Sequence, residues 1–399
     1  MSQATGGYAG SRSNAFEVAH FFGEGDGRTM LDTLLDGFDP GDRSVEIVEQ
    51  SYSNNAHDLA IKCRILQEDP PSVFVEWPGQ NLKPYVEART IEDISDLWAE
   101  NGWDREFIDG AIDLVTFEKK HYGVPFTLHR TNNLFYNVEL TERYGVDPTS
   151  IRDAAEFLEV LGQCADPDED VVPMALPMKN PWTVLMLFKQ LLVGIAGVER
   201  YEAIAAGEAP VYEREIRTAM EVVAEIADLA SEHNEFVDMV EANQRFMDQQ
   251  AVFFQQGDWV GGAYGEVEGY EYGRDWGHEP IPGTDGVYVM GMDSVVMPAD
   301  PDHAAIGRSF LEHVADARTL RTINRIKGSI PPRRDVAIDE YPPFLQDQYR
   351  DFKRAREHTG GGKSVTPPEN GIRERIAFSS FITDRDIDAA VRAIIDAHR

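Results

Sequence analysis

Apolar positions change period repeatedly along the first eighty residues. Phe16 to Phe22 reads as a strand, and Arg28 to Phe38 as a helix that gathers Leu31, Leu34, Leu35 and Phe38 on one stripe. A strand over Ser44 to Glu49, a helix over Ala56 to Gln67 and a strand over Ser72 to Trp77, entered through Pro70-Pro71, follow in order. A βαβαβ run of this kind predicts an α/β fold with a doubly wound sheet, whose ligand crevice lies at the carboxyl ends of the strands. The segments that end those strands, Phe21-Phe22-Gly23-Glu24-Gly25-Asp26 and Glu76-Trp77-Pro78-Gly79-Gln80, are therefore candidate site loops.

Farther on, helical spacing dominates. Asp147-Pro148-Thr149-Ser150 is a start signal for a helix over Ile151 to Gln163, and Glu213 to His233 repeats Ile216, Met220, Val223 and Ala227 on one face. A strand holding Val252, Phe253 and Phe254 runs into Gln256-Gly257-Asp258-Trp259, and the turn Pro282 to Gly286 leads to a strand over Val287 to Val296. Helices are expected again at His303 to Ala315 and Asp384 to His398. No internal repeat is visible, which excludes a solenoid.

Length adds a second core. A single core stops growing near about 250 to 300 residues, so the 399 residues here predict two lobes. The most apolar stretch, Trp182 to Val198, is interrupted by Lys189, Gln190 and two glycines, short of the roughly 18 uninterrupted apolar residues a membrane span needs.

Charge narrows the function classes. With 37 basic and 70 acidic residues the formal net charge is -33, and no basic cluster appears, which excludes a nucleic-acid binder. Only nine of the basic residues are Lys, and the acids are dispersed rather than gathered in a tail. A dispersed acidic surface suits multimolar salt, where screening removes the self-repulsion, and points to a halophilic archaeon as the source; an acidic mesophilic protein is the alternative. Cys63 and Cys164 have no metal-ligand spacing and are expected to be buried thiols. Residues 1–13 read as a flexible Gly/Ser-rich segment in front of the first strand, of the kind left when a lipoprotein loses its export signal and anchor.

Several segments in order resemble one family. Pro70-Pro71-Ser72-Val73-Phe74-Val75-Glu76-Trp77-Pro78-Gly79, then Leu82 to Glu87, Tyr122-Gly123-Val124-Pro125 to Tyr136-Asn137, Gly257-Asp258-Trp259, Asp293-Ser294 and Lys327-Gly328-Ser329-Ile330-Pro331 are similar to the sugar-binding, glucose-type members of the family 1 extracellular solute-binding proteins. The resemblance implies a non-catalytic receptor of periplasmic-binding-protein-like fold that captures a sugar, a monosaccharide such as glucose or a short oligosaccharide, and delivers it to the permease subunits of an ABC importer. It implies two discontinuous lobes, 14–127 with 293–329 and 130–290 with 332–399, joined by three hinge crossings near Thr127 to Arg130, Met290 to Asp293 and Gly328 to Pro331. A monomer, held outside the cell as a lipoprotein and working without cofactor or metal, is the expectation that goes with it.

A pyranose presents apolar C–H faces and a ring of hydroxyls, so its site needs aromatic rings together with carboxylate, amide or guanidinium groups. By the resemblance Trp77 and Trp259 sit where relatives stack aromatics on sugars, whereas Trp98, Trp103, Trp182 and Trp276 read as packing residues. Phe21 and Phe22 stand in place of a Trp-Trp pair common in glucose-type relatives, and burial statistics favour one of them as core. Glu24, Asp26 and Glu76 are acceptors in the strand-end loops, although Asp26 equally suits capping a helix that starts at Gly27. Arg130, among His129 to Asn132 at the first crossing, is the chosen basic group, with pairing to a carboxylate as its alternative. Asp258 and Asp293, then Lys327 and Asn370, complete the candidates. Two rivals stand beside the sugar receptor: a glycoside hydrolase acting through paired carboxylates, and the same fold carrying another cargo such as a polyamine.

Overall fold

The computed structural model describes residues 15–23, 25–41, 46–52, 56–165, 170–230, 234–265, 267–299 and 304–399. Glu24 and the segment 1–13 lie outside the described residues.

The βαβαβ pattern forms as its periodicity predicts. Strand Ala15–His20 lies between Glu46–Ser51 and Val73–Glu76, all parallel, with helices Asp26–Asp36 and His57–Leu66 as the crossovers. Val287–Val296 pairs antiparallel with Val73–Glu76 through its carboxyl-terminal end, parallel with Glu357–Gly360 through its start, and antiparallel with Val124–Arg130 between them. A second sheet orders Trp276–Pro280, Asn133–Asn137, Ala251–Gln256 and Val172–Ala175. Each sheet has its own core, one built on Phe16, Phe74, Trp98 and Phe310, the other on Phe157, Phe188, Leu191 and Phe253, and the molecule is accordingly two-lobed.

Val124–Arg130 and Val287–Val296 form an antiparallel ribbon within the first sheet, and Val124–Arg130 is followed at once by Asn133–Asn137 of the second. The ribbon's register sets Thr127 opposite Asp293, Leu128 opposite Met292, His129 opposite Gly291 and Arg130 opposite Met290. Because side chains alternate across a strand, one face gathers Leu128, Met290 and Met292, which pack with Ile108, Ala111 and Ile330. Thr127, His129, Gly291 and Asp293 share the other face. Leu128 and Ile330 exchange both backbone hydrogen bonds at 3.0 Å, so residues 328–331 lie beside the ribbon.

Four local expectations change. Cys63 is exposed, because helix His57–Leu66 turns only His57 and Ile61 fully inward; Cys164 is buried, and burial pushes its thiol up to about 11. The helix expected over Asp384 to His398 forms as Ile387–Ala397: it starts three residues later under Asp386, whose carboxylate accepts from the Ala389 N–H at 2.8 Å, because a preceding helix, Pro368–Asp384, stops only at Arg385 (φ 54°). Trp182 is half-buried at the start of helix Pro181–Ala196, whereas Trp98, Trp103 and Trp276 are buried. The helix starting at Glu213 ends at Leu229.

Candidate functional site

Two strand-end loops build an aromatic wall on the first sheet. Phe21 and Trp77, both half-buried, stack at 4.2 Å between ring centroids and 23° between planes. His57 stands edge-on behind both rings and is held by the Val75 carbonyl at 2.6 Å. Phe22 turns into the core against Phe126, so the pair divides into one surface ring and one core ring. Glu76 is buried, and its carboxylate accepts from the Trp77 N–H (2.9 Å), the Asn81 amide (2.8 Å) and the Tyr85 hydroxyl (3.3 Å). Those bonds fix the turn that carries Trp77.

Asp26 does not cap its helix. Gly25 takes the cap position, without a side-chain bond, and Asp26 opens the first turn with its carboxylate 2.6 Å from the Lys327 ammonium. A charge pair forms here instead of a cap because helix Ala317–Lys327 ends beside the start of helix Asp26–Asp36.

The second cluster is at the ribbon. Asp258 follows strand Ala251–Gln256 and is fully buried; its Oδ1 is 2.5 Å from His129 Nδ1 and its Oδ2 accepts from the Arg130 N–H at 2.9 Å. A buried carboxylate demands such donors. Next to it the Trp259 indole N–H donates to Gln256 Oε1 at 3.1 Å, and the ring meets His129 edge-on at 5.4 Å. A Cβ at Gly257 would fall 2.2 Å from the Trp259 ring, so the indole can take this position only over a glycine. Across the ribbon Asp293 accepts from the Thr127 hydroxyl at 2.8 Å and lies 3.9 Å from His129 Nε2. One aromatic ring, two carboxylates and an imidazole therefore converge on the polar face. Among the described residues no group of three or more His, Cys, Asp or Glu is placed to hold a metal ion.

Residues 41–348 match the family model of bacterial extracellular solute-binding proteins. The chain belongs to that family. Its members bind solutes rather than transform them, which sets the hydrolase rival aside. The chain is 28% identical to the xylose/arabinose-binding protein of Haloferax volcanii, covering 97% of this chain and 85% of that protein. It is 26% identical to an uncharacterized ABC transporter extracellular-binding protein of Pyrococcus horikoshii over 96% of this chain and 86% of that one. In fold it is similar to a chitin oligosaccharide binding protein (TM-score 0.86, 15% identity, 96% of this chain and 98% of that one). The maltose/maltodextrin-binding domain of Bdellovibrio bacteriovorus is a further likeness (TM-score 0.74, 14% identity, 96% and 98%).

In this solute-binding protein the remaining candidates fall apart from the polar face. Arg130 points to the opposite side of the ribbon, where its guanidinium donates to Asp351 at 2.7 Å and to Asn132 at 3.2 Å and lies over the Tyr288 ring. Strand parity decides this, since Arg130 must face away from His129 and Asp293. Asn370 is half-buried in the first turn of helix Pro368–Asp384, beyond a segment tied to the Trp77 loop by the Gln80 N–H donating to the Ser364 carbonyl at 3.0 Å. Thr127, His129 and Gln256, left out of the sequence-derived set, share the corner with Asp258, Trp259 and Asp293. Alternation along Val124–Arg130 puts His129, and not Arg130, on the face that Thr127 shares with Asp293.

Proposed function

We propose that this protein captures a sugar, a monosaccharide or a short oligosaccharide, and hands it to the permease of an ABC importer. The observation that carries the reading is the corner of Trp259, Asp258, His129 and Asp293: an aromatic face beside carboxylates matches a pyranose's apolar face and hydroxyl donors. Trp77, stacked on Phe21, offers a second ring from the first lobe. The name of the Haloferax relative, a xylose/arabinose-binding protein, supports a pentose among the candidate cargoes.

In this reading the lobes are 14–127 with 293–329 and 130–290 with 332–399, and they rotate about the three segments that lie side by side at the ribbon. A ligand touching both lobes favours closure because the open form cannot make both sets of contacts. The proposal extends to a monomer anchored outside the cell by a lipid and adapted to high salt, the last supported by the net charge of -33.

Calorimetric titration in molar KCl with D-glucose, D-galactose, D-xylose, L-arabinose, maltotriose and spermidine tests the reading. Saturable binding of one of the sugars, recovered chemically unchanged, is the expected result. Binding of spermidine with no response to any sugar would replace it with a polyamine cargo.

A further inference from the structure

The polar face of the ribbon carries one side chain whose two ends do different things. His129 is 4% exposed, and its Nδ1 faces Asp258, which as a carboxylate only accepts; that ring nitrogen is therefore the donor. Asp258 is in turn held by the Arg130 N–H, and its own N–H donates to the Arg130 carbonyl at 3.0 Å. The imidazole is thus clamped from behind, with Nε2 on its far edge 3.9 Å from Asp293 Oδ2.

That separation is too long for a direct hydrogen bond, yet an oxygen can sit at about 2.8 Å from both atoms at once. Gly291 lies opposite His129 and adds no side chain to this face, where a Cβ would already come within 3.1 Å of Thr131. Trp259 stands at the side, edge-on to the imidazole. A hydroxyl placed in the gap has one proton: it would donate that proton to Asp293 and accept from Nε2–H, an arrangement in which the ring donates at both nitrogens, to Asp258 and to the ligand.

We propose that His129 is a specificity-determining residue, which with Asp293 reads one hydroxyl of the bound sugar through Nε2 while Asp258 holds the ring through Nδ1. The inference rests on the sugar-receptor reading and adds to it the position from which a hydroxyl is selected. A site built to bond a hydroxyl rejects the analogue that lacks it more strongly than an apolar pocket rejects a missing methylene.

Two substitutions separate the ends of the ring. His129→Asn keeps a donor at the place of Nδ1 and deletes Nε2; His129→Gln keeps a polar atom near Nε2 and loses the bond to Asp258. Affinities of both variants are measured by calorimetry for whichever of D-glucose, D-galactose, D-xylose and L-arabinose the wild type binds, and for its monodeoxy analogues. His129→Asn is expected to bind the parent sugar about ten- to a hundredfold more weakly, with an unchanged melting temperature. It should also lose the wild type's discrimination against one deoxy analogue, and His129→Gln should retain part of that discrimination. On wild-type protein labelled with 15N-histidine, sugar saturation should shift the Nε2 resonance of His129 and leave Nδ1 in place. Wild-type affinity in His129→Asn with loss in His129→Gln, or a stationary Nε2 resonance at saturation, would overturn the proposal. Absence of sugar binding by the wild type would overturn the receptor reading, and this inference with it.

Discussion

Two clusters of buried charge differ in composition. At the carboxyl terminus Glu374 is 2% exposed between two nitrogen donors: Lys189 Nζ at 2.7 Å from one oxygen and His398 Nε2 at 2.8 Å from the other. Lys189 also donates to the Thr366 hydroxyl at 2.9 Å. The ribbon has the opposite ratio, with Asp258 and Asp293 on either side of one His129. A carboxylate taken out of water is tolerable when donors meet it. At Glu374 side chains from other parts of the chain, Lys189 and His398, meet both oxygens, and the cluster pins helices Pro181–Ala196, Pro368–Asp384 and Ile387–Ala397 together. At the ribbon acid exceeds base, and in the proposed sugar-receptor reading the hydroxyls of a ligand supply further donors to Asp293.

The largest effect should come from breaking the closed cluster. Glu374→Gln removes the negative partner and leaves Lys189 buried, a change that typically costs about 3 to 5 kcal/mol. Chemical denaturation should register a loss of that order, while sugar affinity of the folded fraction stays at the wild-type value. An equal stability, or a loss of binding without a loss of stability, would contradict the division of roles between the clusters.

The ribbon responds in the reverse sense. Asp293→Asn keeps shape and an acceptor for the Thr127 hydroxyl but removes the charge; charge-assisted hydrogen bonds contribute about 1.5 to 3 kcal/mol. Sugar affinity should fall by about one to two decades with a small change in melting temperature. Titration of the variant beside the wild type checks this, and an unchanged affinity would remove Asp293 from the site.

This contrast also marks what the sequence could reveal. The first lobe was legible because its strands and helices alternate at short range, and each boundary carries Pro, Gly or a change of period. The second lobe was not: strands Val172–Ala175 and Trp276–Pro280 are short, and their pairing joins segments distant in sequence. Of the candidate site, Trp77 and Trp259 are named by the family resemblance and by their place after strands Val73–Glu76 and Ala251–Gln256. Strand parity has no such signal: the forked, basic side chain of Arg130 suits a ligand by residue type, with a carboxylate partner as its alternative, and the antiparallel register turns it toward Asp351. The Lys189–Glu374–His398 cluster gave no local signal, since its members meet only through packing of three helices.

The smallest effect expected is a difference in acid sensitivity that belongs to the closed cluster. Burial by itself opposes ionisation of Glu374, but Lys189 and His398 outweigh it and hold the carboxyl below its ordinary value. Its folded-state pKa is therefore lower than in the unfolded chain, which takes up the proton first as pH falls. The stability that Glu374 contributes is complete above the unfolded carboxyl range and disappears as pH drops through the folded value. Other carboxylates held low by partners, Asp351 beside His278 and Arg130 among them, lose stability in the same direction, so the wild-type curve alone does not isolate Glu374. The gap between wild type and Glu374→Gln does, because the amide has no proton to gain. That gap, measured by denaturant unfolding from neutral pH down to about pH 3, should narrow on acidification, and a gap that stayed constant would mean that the carboxylate is not what holds the three helices.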